Sequence, residues 1–275
     1  MECMENLGTR SKQDLAESPY ILDNAGREAF SRFRALSDIF DRGTIRHFEE
    51  LGVSSGWNCL EIGGGGGSIA AWFAARIAPA GHLLITDIDP RFLESLKIAN
   101  VEVRQHNIVT DPLPEATFDL VHTRLVLVHL PERERVLSRM VAALKPGGWL
   151  VNEEIDVSLA PDPTSFPEEV LSKTYLAMIR IMNEREVDQR FGRRMYAKFR
   201  ALGLVNVAAE GRTFIWSKGS PGASLLRANY EQLRSDMIRA GYVTEREFEQ
   251  DVAGLDDPSF MMPSPILWAA WGQRP

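Results

Sequence analysis

Leu60-Glu61-Ile62-Gly63-Gly64-Gly65-Gly66-Gly67-Ser68-Ile69-Ala70 is an apolar run ending in an acid, then five glycines, then the start of an amphipathic stretch. The order reads as strand, tight turn and helix. Glycines at 63, 65 and 67 accept positive φ and remove the Cβ atoms that would keep a ligand away from the main chain. A flat, polar cofactor then fits directly on the loop. The helix beginning near Ser68 aims its unpaired N–H groups at the same place. The dinucleotide fingerprint G-x-G-x-x-G calls for a third glycine at 68 or 69, where this chain has Ser68 and Ile69. A nicotinamide enzyme is disfavoured on that spacing.

The 275 residues suit one core with additions, and the formal net charge of −7 comes with no block of Lys and Arg. That argues against a nucleic-acid partner, which needs a concentrated basic face. Cys3 in a polar tail and Cys59 in an apolar strand are poorly matched for a disulfide. There is no apolar signal core at the N-terminus and no run long enough to span a bilayer, so the expectation is a cytoplasmic protein without a membrane partner. The histidines and cysteines show no metal-ligand spacing, and no metal is expected.

Residues 1 to 18 are polar, and order is expected from Tyr20. Phe30, Phe33, Leu36, Ile39 and Phe40 keep a helical period, and a second short helix is expected over about 44–51. After the glycine loop come a helix over 69–77, a strand over 82–86 stopping at Asp87, a helix over 91–98 begun by Asp89-Pro90, and a strand over 101–104. Asp87, followed by Ile88, falls about 20 residues beyond the loop, where an acid in this kind of α/β site holds a ribose. A fourth strand begins at Phe118 and continues to His129, a fifth covers 149–152, and a helix lies between them.

Glu61-x-Gly63-x-Gly65-x-Gly67 resembles motif I of the class I S-adenosylmethionine-dependent methyltransferases. Asp111-Pro112-Leu113-Pro114-Glu115-Ala116-Thr117-Phe118-Asp119-Leu120-Val121 and Leu144-Lys145-Pro146-Gly147-Gly148 are similar to two further segments of that family. The resemblance spans about residues 55–155 and implies a Rossmann-like α/β fold. Its seven-stranded sheet has the order 3-2-1-4-5-7-6, with the last strand antiparallel, and carries helical cap insertions. It implies S-adenosylmethionine as cofactor, with Glu61, Gly63, Gly65 and Gly67 beneath it, Asn107 on the adenine amino group and Ile108 on the ring. The implied organisation is a tail with lid helices over 1–46, a cofactor-binding core over 47–157 and a helical cap insertion over 158–190. The rest of the sheet follows over 191–275, with a helical insertion at about 218–253.

Methyl transfer from a sulfonium is an in-line displacement, so the protein's main task is positioning. A base helps only where the acceptor carries a proton to lose. Candidates belong at the C-terminal ends of the fourth and fifth strands, where ligands gather in open α/β sheets. His129, which resembles a histidine of ubiquinone-type and sugar methyltransferases, is a base, an orienting group or a packing residue. Glu153-Glu154-Ile155-Asp156 ends the fifth strand, and alternation puts Glu154 and Asp156 on one side, as candidate substrate-orienting groups or bases. Arg124 in an apolar strand must find acceptors, either a cofactor carboxylate or a neighbouring acid. His122 has no obvious partner and reads as structural. Tyr20, Met178, Trp216 and Met262 suit the pocket of a large apolar or aromatic acceptor. The expected activity is methylation of such a small molecule at O, N or C by a monomer or homodimer. Alternatives are a protein methyltransferase, a non-methylating S-adenosylmethionine-binding protein, or a cyclase.

Overall fold

Unbroken apolar runs such as Leu83-Leu84-Ile85 belong to strands covered on both faces, and this is where the chain places them. The computed structural model describes residues 21–22, 24, 26–157 and 172–275. Tyr20, and residues 158–171 of the expected cap insertion, lie outside the described residues.

The central sheet contains β1 (Asn58–Ile62), β2 (His82–Asp87), β3 (Val101–Gln105), β4 (Phe118–Arg124), β5 (Leu144–Asp156) and β6 (Val205–Arg212). Its seventh strand is β9 (Ile266–Gln273), and the order is β3-β2-β1-β4-β5-β9-β6. The last strand in the chain lies between the fifth and sixth, antiparallel to both, as the expected topology requires. Helices α1 (Ala29–Glu50) and α2 (Ser68–Ile77) precede β2, and α3 (Arg133–Ala143) links β4 to β5. The cap consists of α4 (Lys173–Glu184), α6 (Pro221–Arg239) and α7 (Glu245–Gly254), with α5 (Met195–Ala201) leading into β6. Apolar side chains cover both sheet faces: Phe48, Phe73, Ile77 and Ile85 belong to one cluster, and Val121, Met140, Leu150 and Phe199 to the other.

Local expectations fail at four places. The two N-terminal helices are one, because Gly43 weakens the helix without ending it and its missing side chain leaves room for the Arg212 guanidinium. The helix expected over 91–98 is a single 3-10 turn, Pro90–Phe92, because Leu93 and Leu96 are drawn onto Gly64 and Gly67. β4 stops at Arg124, since Leu125 turns the chain at φ 58°, and a 3-10 turn at Leu127–His129 follows. The rest of the sheet, expected as one over 191–275, divides after β6. Its second part, β7 (Ile215–Ser217), leaves the main sheet and pairs with β8 (Met261–Pro263).

Substituting Gly43→Ala forces the Arg212 guanidinium away from buried Glu153. A broken buried ion pair costs about 3–5 kcal/mol, against a helix gain of about 1 kcal/mol, so a net loss of about 2–4 kcal/mol is expected by urea unfolding. An unchanged midpoint would mean that α1 shifts freely over the sheet.

Candidate active site

The glycine loop leaves β1 with Gly63, Gly65 and Gly67 at φ 72°, 51° and 79°, the left-handed conformations expected of them. Gly63 N–H and Gly64 N–H both donate to the Thr86 carbonyl, at 2.7 and 3.2 Å, which ties the loop to β2. The Asp87 carboxylate completes the tie, accepting from Gly65 N–H at 3.0 Å and Asp89 N–H at 2.9 Å. Burial raises the Asp87 pKa, and those backbone donors oppose the rise. Gly67 is the N-cap of α2 and offers no side chain, so the first turn's N–H groups have no side-chain cap there.

A cavity of about 820 Å³ opens on this loop. Its wall includes Glu61, Gly63, Gly65, Asp87, Ile88 and Asn107. Ile108, Arg124 and His129 line the same space, as do Met178 and Trp216 from the cap. The fold thus gathers residues spread over more than 150 positions. Gly67 is not on the wall; a Cβ there would lie 2.8 Å from Leu96. Met262 is buried opposite Trp216 in the small sheet and does not line the cavity, which corrects its pocket assignment.

Two carboxylates expected on the substrate side are also elsewhere. β5 continues as strand through Asp156, paired with β4 as far as Glu153 and with β9 to its end; Glu154 and Asp156 are wholly buried and neither lines the cavity. Glu154 accepts from Leu127 N–H at 2.8 Å and from the Asn152 amide at 3.2 Å, fixing the turn that carries His129. Burial pushes its pKa up to about 7. Asp156 pairs with Arg193 at 2.5 Å. Their placement matches a scaffold role for both.

Arg124 has acceptors among its neighbours. It donates to Asp41 at 2.8 Å and to the Thr44 hydroxyl at 3.1 Å, both on α1, while remaining on the cavity wall. Asn107 takes a turn role as well, its Oδ1 accepting from Val109 N–H at 3.0 Å. His129 is buried in the 3-10 turn, and burial together with the positive charge of Arg32 and Arg133 holds its pKa down to about 3. His122, for which the sequence suggested no partner, has two in space: Glu61 and Glu153, each 3.6 Å away.

Sequence reasoning missed the depth to which α1 enters the site. Phe33 packs on the loop, 2.8 Å from where Cβ atoms of Gly65 and Gly66 would be, and Arg32 lines the cavity after donating to Leu22 O and Asn24. Their helical period was visible, but nothing local specified their contact with the glycines. Gln189 and Asn229 of the cap were missed for the same reason. Among the described residues no group of three His, Cys, Asp or Glu side chains is placed to hold a metal, and no helix is long and apolar enough to cross a membrane.

Residues 60–150 match the family model described as a methyltransferase domain. Methyltransferase str3 of Strobilurus tenacellus is 34% identical over 152 residues, 54% of this chain and 54% of that protein. The ubiquinone/menaquinone biosynthesis C-methyltransferase UbiE of Salmonella arizonae is 29% identical over 171 residues, 58% of this chain and 68% of that protein. The match therefore spans about half to two thirds of these relatives. A solved structure of Haemonchus contortus phosphoethanolamine N-methyltransferase 2 in complex with S-adenosyl-L-methionine shares the fold at TM-score 0.60 and 16% identity, covering 93% of this chain and 60% of that one. Residues 60–150 are thus similar to a methyltransferase domain, and the fold is shared with a methyltransferase solved with S-adenosyl-L-methionine.

The Glu154 carboxyl tests the buried scaffold. Its folded pKa of about 7 lies above the unfolded value of 4.5, so the folded state holds the extra proton between them. Stability from this group is full below pH 4.5 and is lost as pH rises through about 7. Relative to Glu154→Gln, the wild type should lose up to about 3 kcal/mol across that window in denaturant titrations. Parallel pH profiles would show that Glu154 does not carry this proton.

Proposed function

We propose that the protein transfers the methyl group of S-adenosylmethionine to a small, largely apolar or aromatic organic acceptor. One observation carries the reading: a single cavity of about 820 Å³ has both the glycine loop with Asp87 and the cap side chains Met178, Met182, Trp216, Leu225 and Leu226 on its wall. That volume, with a wall whose surface is mostly apolar and carries polar groups such as Asp87, Asn107 and Gln189, suits a small-molecule site.

The residues present fit the cofactor. Gly63 and Gly65 bring bare main chain to the wall, and the Asp87 carboxylate keeps lone-pair capacity for vicinal hydroxyls after serving Gly65 and Asp89. Ile88, Asn107 and Ile108 supply an apolar border and an amide for a ring. Glu61 and Arg124 bring opposite charges to the wall, suited to the ends of an amino acid. Bound there, the cofactor supplies a methyl group already activated on a sulfonium. The protein then has to hold an acceptor in line and exclude water, work worth about 7–11 kcal/mol when donor and acceptor are well aligned.

His129 takes part as a neutral ring. A pKa near 3 makes it a poor proton store at neutral pH, so it orients the acceptor by hydrogen bonding. His129→Ala should lower kcat more than cofactor affinity. The wild-type pH-rate profile should show no inflection near 6.5 that the variant lacks; such an inflection would identify His129 as a titrating base.

The function is tested by incubating the protein with methyl-labelled S-adenosylmethionine and cell extract, then separating small molecules, protein and RNA. Label is expected in small molecules. Label in protein would transfer the assignment to a protein methyltransferase, and cofactor binding without release of S-adenosylhomocysteine would assign a non-methylating role. Asp87→Ala should weaken cofactor binding at least about 100-fold, since each charge-assisted bond contributes about 1.5–3 kcal/mol. Unchanged affinity by calorimetry would remove Asp87 from the site.

A further inference from the structure

His122 lies on β4 between two strands that each bring a carboxylate to it. Its Nδ1 is 3.6 Å from Glu61 Oε1 on β1, its Nε2 is 3.6 Å from Glu153 Oε2 on β5, and the ring is wholly buried. Phe48 of α1 and Phe73 of α2 cover it, with ring centroids 5.0 and 6.4 Å away. At 3.6 Å these are charge contacts, longer than hydrogen bonds. A neutral imidazole has one N–H and would turn a lone pair toward one of the carboxylates; only imidazolium offers a donor to both.

The surrounding charges require the same state. Glu153 is paired with Arg212 at 2.5 Å, and His122 first, then Arg124 and Arg212, lower its pKa to about 2 although burial opposes ionisation. Arg124 is balanced by Asp41. Glu61, Glu153 and Arg212 together leave one uncompensated negative charge, which a protonated His122 cancels. The two carboxylates raise the His122 pKa against the effect of burial.

Glu153 also accepts from the Thr44 hydroxyl of α1. Glu61, His122, Glu153 and Thr44 therefore form a buried line from the cavity wall to the helix whose Phe33 covers Gly65 and Gly66. We propose that His122 is a buried imidazolium that positions Glu61 at the cofactor end of the cavity and, through Glu153 and Thr44, ties that end to the seating of α1. The positioning role rests on the cofactor assignment above; the charge state does not.

Nitrogen-15 NMR of histidine-labelled protein reads the charge directly. One histidine should be protonated at both ring nitrogens at pH 7, above the ordinary imidazole value, and its signal should be absent in His122→Gln. A neutral tautomer for His122 at pH 7 overturns the proposal, and this measurement on the wild type holds even where the variant does not fold. A glutamine amide carries its donors on one nitrogen and serves only one carboxylate at a time. His122→Gln should therefore weaken S-adenosylhomocysteine binding about tenfold or more and speed amide exchange over residues 41–48 of α1. Unchanged affinity and exchange in a folded variant would reduce His122 to packing. If the wild type itself binds no S-adenosylhomocysteine, the cofactor assignment and the positioning role fail together, while the NMR result still decides the charge.

Discussion

Gly63 to Gly67 have no space for a single Cβ. Val126 stands against Gly63, Ile85 and Leu93 against Gly64, Phe33 against Gly65 and Gly66, and Leu96 against Gly67. Five neighbouring side chains are thus pressed on one turn of bare backbone, and three of the five glycines also adopt conformations that side chains disfavour. The cavity, the position of α1 and the missing helix after Pro90 all follow from that contact. A glycine run is conformationally costly in an ordered chain, and here the close approach of so many apolar side chains offsets the cost.

The acidic cluster of β5 shows how one sequence feature divides by environment. Glu153, beside Arg212 and Thr44, remains ionised; Glu154, given only backbone and amide donors, titrates near neutrality; Asp156 reaches Arg193. None of the three touches the cavity. They fasten the sheet edge that carries the site: Glu153 anchors α1, and Glu154 anchors the turn bearing His129. The long β5 makes this possible, because its pairing with β9 continues to Asp156 after its pairing with β4 has ended at Glu153.

The N-terminal helix does two things along its length. Its first half supplies Arg32, Phe33 and Ser37 to the cavity wall, and its second half lays Thr44, Phe48 and Gly43 onto the sheet and its buried charges. α1 also packs against α6 of the cap, so the acceptor wall and the glycine loop meet through one rigid element. This accounts for a site built from distant parts of the chain that still encloses a single space.

The α/β class, the sheet order implied by the resemblance and the glycine loop were legible in the sequence, because positive φ and a bare backbone leave a signature in residue type alone. Asp87 at the end of its strand was legible too, since strand length and loop length fix where the acid falls. The partners of His122, the removal of Glu154, Asp156 and Met262 from the cavity and the entry of Phe33 were decided only in the tertiary structure. Each depends on which strand lies beside which, or on a helix packing across residues far away in sequence. Charge and burial at those positions are properties of neighbours, and a sequence does not state its neighbours until it folds.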